Sequence, residues 1–185
     1  MKIRFHIITG CLFVLAGVLI GSQFYTPSIG AESKKLVPTP VAHVSPETIS
    51  GEPSHISVPS LRISTDIIPG YYNKVDSSWT LSTTKAMYAT LTAKPNSQSG
   101  NTYIYAHART GLFANLANAK KGTEVVVTTA NGHEFTYLYS YAHDVNPSDT
   151  SVLNPTNKPQ LTLQTCSGIW SENRYLVVFH LVGVK

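Results

Sequence analysis

The sequence predicts an all-β domain, a small barrel or sandwich, behind an N-terminal apolar segment. Three observations carry that prediction. Asn131-Gly132, the preferred two-residue hairpin turn, separates two runs of β-forming residues. Further short runs rich in Val, Ile, Leu and Tyr recur between turn residues. Only one stretch, Thr110 to Lys120, has apolar residues at helical spacing (Leu112, Phe113 and Leu116), with Gly122 as its stop.

In chain order, Lys2 and Arg4 precede a run from Phe5 to Phe24 that contains no Asp, Glu, Lys or Arg. At ~1.5 Å per helical residue, about twenty residues cross the hydrocarbon core of a bilayer. The two leading cations keep the N-terminus in the cytoplasm and send the rest across. Residues 1–25 are therefore expected to be a cytoplasmic tip and an uncleaved single-pass transmembrane anchor. The competing reading is a signal peptide cleaved near Ser28-Ile29-Gly30. Ile8-Thr9-Gly10-Cys11 mimics a lipoprotein cleavage box, but in such signals the apolar run precedes the cysteine, and here most of it follows. Residues 26–54 contain Pro27, Pro38, Pro40, Pro46 and Pro53 among Ser, Lys, Thr and Glu, with no sustained apolar period. Such a segment buries too little to offset its ordering entropy and reads as an extracytoplasmic linker.

The folded domain is expected over residues 55–185. Ile56 to Ile63 alternates and is broken by Pro59, which suits an edge strand. Asn101 to Ala106, opened by Gly100, is a strand rich in Tyr and Ile. Glu124 to Ala130 and His133 to Tyr141 form the hairpin, with Phe135, Tyr137, Tyr139 and Tyr141 expected on one face. Leu161 to Cys166 and Tyr175 to Val182 supply two more strands.

Composition narrows the function. The formal net charge is +4, and removing Lys2 and Arg4 from the 14 basic residues leaves 12 against 10 acidic. The basic residues are scattered, which argues against nucleic-acid binding. The only cysteines are Cys11, inside the apolar run, and Cys166. Cys166 is thus the single thiol of an exported domain, where exposed thiols oxidise. It is either a small buried hydrophobe or a working nucleophile.

The local pattern favours the nucleophile. Along Leu161-Thr162-Leu163-Gln164-Thr165-Cys166, strand alternation puts Leu161, Leu163 and Thr165 on one face and Thr162, Gln164 and Cys166 on the other. The apolar face anchors the strand, and the thiol ends it just before Ser167-Gly168. Arg174 begins the last strand, separated from Cys166 by the loop Ser167 to Asn173, and two neighbouring antiparallel strands joined by this loop would bring the two residues close. A guanidinium is always charged and can stabilise a thiolate or an oxyanion, although a lone arginine at a strand end is more often simply solvated. Seven histidines are present. His6, His43 and His55 lie in the anchor, the tether and the domain edge. His133 flanks the hairpin turn, His143 sits in a Pro/Asp loop, and His180 lies inside the last strand. His107, at the end of the Asn101 strand, differs in its context.

Gly100-Asn101-Thr102-Tyr103-Ile104-Tyr105-Ala106-His107, followed by Leu112-Phe113 and Leu116, resembles the histidine region of sortases. Thr162-Leu163-Gln164-Thr165-Cys166 is similar to that family's TLxTC motif, and Arg174 falls where its arginine is expected. The resemblance covers about residues 56 to 184. One departure is Ala106, where many sortases have Gly. Arg109, beside His107, is a rival for the arginine.

The resemblance implies a closed β-barrel with one or two short helices. It further implies a cysteine transpeptidase with catalytic His107, Cys166 and Arg174, and with Thr165 and Trp170 as substrate-binding candidates. Cys166 would attack the Thr-Gly carbonyl of an LPxTG-like sorting signal and form a thioacyl enzyme. His107 would protonate the leaving amine and deprotonate the incoming one. Partners would be proteins bearing a C-terminal sorting signal, an amine acceptor such as a cell-wall precursor or a pilin lysine, and the membrane through the N-terminal helix. With Cys166 the only plausible thiolate ligand and no HExxH or CxxC pattern, no metal or other cofactor is expected. Alternatives are a hydrolytic cysteine peptidase and a catalytically silent surface-binding domain on the same scaffold. An L,D-transpeptidase is disfavoured because its SHGC-type motif is missing.

Overall fold

In the computed structural model the described residues are 47–168 and 172–185. The expected anchor and most of the linker lie outside them. Among the described residues no helix is long and apolar enough to cross a membrane.

Ten strands are present: β1 (Pro53–Val58), β2 (Ile63–Gly70), β3 (Tyr72–Asn73), β4 (Ser78–Trp79), β5 (Ala86–Ala89), β6 (Asn101–Tyr105), β7 (Glu124–Thr129), β8 (Glu134–Val145), β9 (Gln160–Ser167) and β10 (Asn173–Val184). Eight of them close into a barrel in the order β1-β2-β5-β6-β9-β10-β8-β7, with β7 returning to β1. Strands β3 and β4 form a separate two-stranded hairpin. The barrel is antiparallel except for β2–β5 and β6–β9, which are parallel.

Closure changes the status of the first predicted strand. The Ile56 to Ile63 run is not an edge strand but the end of β1, a 3-10 turn at Pro59–Leu61, and the start of β2. Both strands are paired, and Pro59 is accommodated because it sits in the turn, where no ladder donor is needed. The predicted helix over Thr110 to Lys120 is also absent. The segment is a series of turns ending in one 3-10 turn, Leu116–Asn118. Leu112, Phe113 and Leu116 are buried in the main core as the helical spacing implied, although the segment that carries them is not an α-helix. Burial of those side chains, not helix propensity, holds the segment.

The barrel interior holds Ile56, Val58, Ile63, Ile104, Val125, Val127, Phe135, Tyr137, Leu161, Leu163, Val177 and Phe179. The β7–β8 hairpin forms at the expected place, but its loop is three residues, 130–132, and not the expected two. Thr128 pairs with Glu134, and the positive φ falls on Gly132 (89°) alone, so the register differs by one residue from a two-residue Asn131-Gly132 turn. The expected aromatic row does not stay on one face. Phe179 pairs with Tyr139 and Val178 with Tyr141, so Ser140 is an extra residue that bulges the strand. Phe135 and Tyr137 are buried, Tyr139 packs edge-on against Phe179, and Tyr141 turns outward.

Candidate active site

Strands β6 and β9 depart from the one-sided pattern. All five residues of β6 are buried, because its outer face is covered as well as its inner one. Thr102 and Ile104 point into the barrel, while Asn101, Tyr103 and Tyr105 point outward beneath two covering elements. The first cover is the β3–β4 hairpin. Trp79 packs on Tyr72 at 5.4 Å and edge-on to Tyr105 at 5.8 Å. The Tyr105 hydroxyl donates to the Thr80 carbonyl at 2.8 Å. Gly70 permits this approach, since a Cβ there would lie 2.2 Å from the Tyr105 oxygen. The second cover is the loop after β8. The Asn101 amide donates to the Val152 carbonyl at 2.7 Å, and Thr162 donates to Asn101 Oδ1 at 2.8 Å.

Between the two covers runs a groove of about 390 Å³. Its floor is Tyr103, Tyr105, Gln164 and Arg174, and its walls include Trp79, Leu81, Val152 and Leu153. Tyr103 donates its hydroxyl to Gln164 Oε1, which leaves the Gln164 amide NH₂ as the donor available to the groove. Burial pushes the Tyr103 phenol far above its usual range, although the nearby Arg174 cation opposes the shift.

Register places the three candidate catalytic residues side by side. In the β9–β10 ladder Arg174 is the direct partner of Cys166. In the β6–β9 ladder Tyr105 pairs with Gln164, and the Ala106 N–H donates to the Gln164 carbonyl at 3.1 Å. Continuing that parallel register by two residues sets His107 beside Cys166, and both line a second, open depression of about 350 Å³ with Thr83, Ala108 and Arg109. The thiol is free and half-buried. Cys166, Gln164, Arg174, Tyr103 and Tyr105 thus share the outer face of the sheet.

Thr165 lies on the opposite face. It is buried, and its hydroxyl donates to the Ala106 carbonyl at 3.0 Å, clamping the end of β6 to β9 just where His107 emerges. It shapes the site from behind rather than lining the groove. Trp170 lies outside the described residues. Arg109, the rival arginine, also reaches the Cys166 depression, but its Nη1 donates to the Thr83 carbonyl at 3.2 Å and it has no strand pairing with Cys166.

Sequence reasoning missed Trp79, Gln164 and the loop at Val152. Gln164 was legible as sharing a face with Cys166. The covers were not, because nothing local to Trp79 or Val152 reports what they pack against.

Comparison with known proteins decides the family. The Sortase domain profile matches residues 56–182. The chain belongs to the sortase family. Sortases are cysteine transpeptidases, and the eight-stranded barrel is their fold. The chain is 25% identical to "Sortase A" of Bacillus anthracis, in an alignment spanning 98% of this chain and 96% of the relative. Among solved sortases, Sortase A from Corynebacterium diphtheriae superposes with a TM-score of 0.61 at 26% identity, over 73% of this chain and 62% of that one. That match therefore spans less than two thirds of the relative. Sortase E1 from Streptomyces coelicolor, solved with a tripeptide in its active site, superposes with a TM-score of 0.60 at 22% identity, over 73% of this chain and 90% of the other.

Proposed function

We propose that this sortase cleaves an LPxTG-like sorting signal between Thr and Gly and transfers the acyl part to an amine, anchoring proteins at the cell surface. The observation that carries the reading is the triple register: Arg174 opposite Cys166 on one side, His107 beside it on the other, at the end of a walled groove. An extended peptide fits the groove with its backbone over Gln164 and Arg174, and its apolar side chains meet Trp79, Leu81, Val152 and Leu153. The Cys166 sulfur attacks the scissile carbonyl, and Arg174 hydrogen-bonds the oxyanion that develops there. The C–N bond breaks as His107 gives its proton to the departing amine, leaving a thioester on Cys166. The incoming amine loses its proton to His107 and attacks the thioester carbonyl. The C–S bond breaks and the thiolate is restored.

The same reading assigns residues 1–25 to a membrane anchor with the barrel outside, and the partners to sorting-signal proteins and an amine acceptor. Intact mass spectrometry of the full-length protein in detergent, incubated with sorting-signal peptides, tests it. The expected result is a thioacyl adduct absent from Cys166→Ala and discharged by an added amine to a new amide. No adduct across a panel of signal variants, with the thiol shown to be reduced, would overturn it in favour of the silent binding domain.

A further inference from the structure

The two depressions flanking Cys166 differ in a way that bears on the second substrate. The 390 Å³ groove is walled and leads along β6 and β9 to Arg174. The 350 Å³ depression is lined by Cys166 itself with His107, Ala108, Arg109 and Thr83, and is the more open of the two. A peptide whose acyl half fills the groove has its leaving amine over this second depression. The entering amine attacks the same carbonyl to make an equivalent amide bond. By microscopic reversibility it uses the position the leaving amine vacated, within reach of the same imidazole.

The one permanent cation lining that depression is Arg109. Its Nη1 is anchored on the Thr83 carbonyl at 3.2 Å, and its backbone N–H donates to the His107 carbonyl at 2.9 Å, so the guanidinium is tied to the loop that carries the imidazole. The carboxylates of Asp66, Glu52 and Glu134 pair with His55, Lys85, Lys94 and Lys185 and not with Arg109. A guanidinium with one donor committed keeps others in a fork that matches a carboxylate.

We infer that Arg109 forms an acceptor subsite selecting amines that carry a carboxylate on or next to the amine carbon. This rests on the transpeptidase reading above and deepens it. The chemistry supplies a direction as well as a preference. The carbon beside the leaving amine bears a neutral peptide carbonyl, whereas the favoured acceptor bears an anion at the same place. Arg109 therefore favours entry of the acceptor over return of the cleaved peptide. In the transfer step the acceptor amine gives its proton to His107, the new C–N bond forms, the C–S bond breaks, and the carboxylate stays paired with Arg109 unchanged.

The test uses the full-length protein, a sorting-signal peptide, and two acceptors, 2,6-diaminopimelate and its diamide. Thioacyl formation is measured first, then its discharge by each acceptor, in the parent, Arg109→Gln and Arg109→Lys. The comparison is read in the discharge step alone, per thioacyl enzyme formed, so that any change in the first step is divided out. For the parent, the KM for diaminopimelate is on the order of tenfold below that for the diamide, and the advantage shrinks as salt rises. Arg109→Gln removes the difference, and Arg109→Lys retains part of it. A parent that discharges equally to both acceptors overturns the subsite and leaves the transpeptidase reading intact. That measurement needs no variant, so misfolding of a substituted loop does not rescue the idea. Failure to form any thioacyl enzyme overturns both.

Discussion

The β7–β8 hairpin and the β6–β9 pair belong to the same barrel and are built by different rules. In the hairpin, two neighbouring segments meet across the three-residue loop 130–132, so their pairing is local. Its inner residues Val125, Val127, Phe135 and Tyr137 are buried while Leu138, Ser140 and Tyr141 are left in water. β6 and β9 are parallel and distant in sequence, joined by a connection that contains the β7–β8 hairpin, and β6 is buried on both faces. The hairpin is a source of stability. The parallel pair is where three separated residues meet, so its precision matters more than its strength.

Substitutions should separate those roles, and the largest effect is expected in the hairpin. Phe135 is fully buried, and Phe135→Ala should cost ~3–5 kcal/mol in denaturant unfolding. Activity per folded molecule should be unchanged; a loss of activity greater than the loss of folded protein would mean the hairpin sets site geometry too. Next, Arg174→Ala should slow thioacyl formation by ~10²–10³-fold with little change in melting midpoint. A variant that acylates at the parental rate would show that Arg174 is not the oxyanion donor. Gly132→Ala comes third. A Cβ there meets nothing within 4 Å, but φ is 89°, so strain alone should lower stability by ~1–2 kcal/mol, again without a change in KM.

A smaller effect probes the floor of the groove. Tyr103→Phe removes the hydroxyl that orients Gln164, and the KM for the sorting-signal peptide should rise roughly two- to tenfold. Gln164→Ala should raise it similarly, and the double variant no further, because both act through one amide. Additive effects would break that link. The tyrosines also give the barrel a pH limit. Burial raises Tyr88 and Tyr105 to about 12 and pushes Tyr103 and Tyr137 up as well. The folded state holds these phenolic protons more tightly than the unfolded chain, which releases them near 10. Stability should therefore be intact below pH 10 and fall as pH rises towards 12. Unfolding followed against phenolate absorbance would show ionisation and loss of structure together, and early ionisation without unfolding would contradict the burial.

Much of the site was legible as residues and little of it as geometry. The alternation of Leu161 to Cys166 gave the correct faces, because strand period is a local property. Cys166 stood out because it is the only thiol beyond the N-terminal run, and Arg174 because it falls where the resemblance to sortases expects an arginine. The helical spacing of Leu112, Phe113 and Leu116 correctly marked buried residues but not the conformation, since a three-residue apolar cluster is equally served by turns. The row from Phe135 to Tyr141 failed at Ser140 because a bulge depends on the facing strand, here β10.

By itself the sequence determined the β class, the place of the hairpin and the strand that carries Cys166, and its resemblance to sortases singled out His107 and Arg174 as candidates. Tertiary structure alone decided that the sheet closes, that Pro59 sits in a turn and not on an edge, and that Thr165 faces the core. It also decided that Trp79 and Val152 roof a groove, and that Arg109 shares the depression beside Cys166. The physical reason is range. Turn chemistry and alternation act over a few residues and are written in the chain. Parallel pairing, closure and the covering of an outer face join segments tens of residues apart, and only the packed barrel brings those segments together.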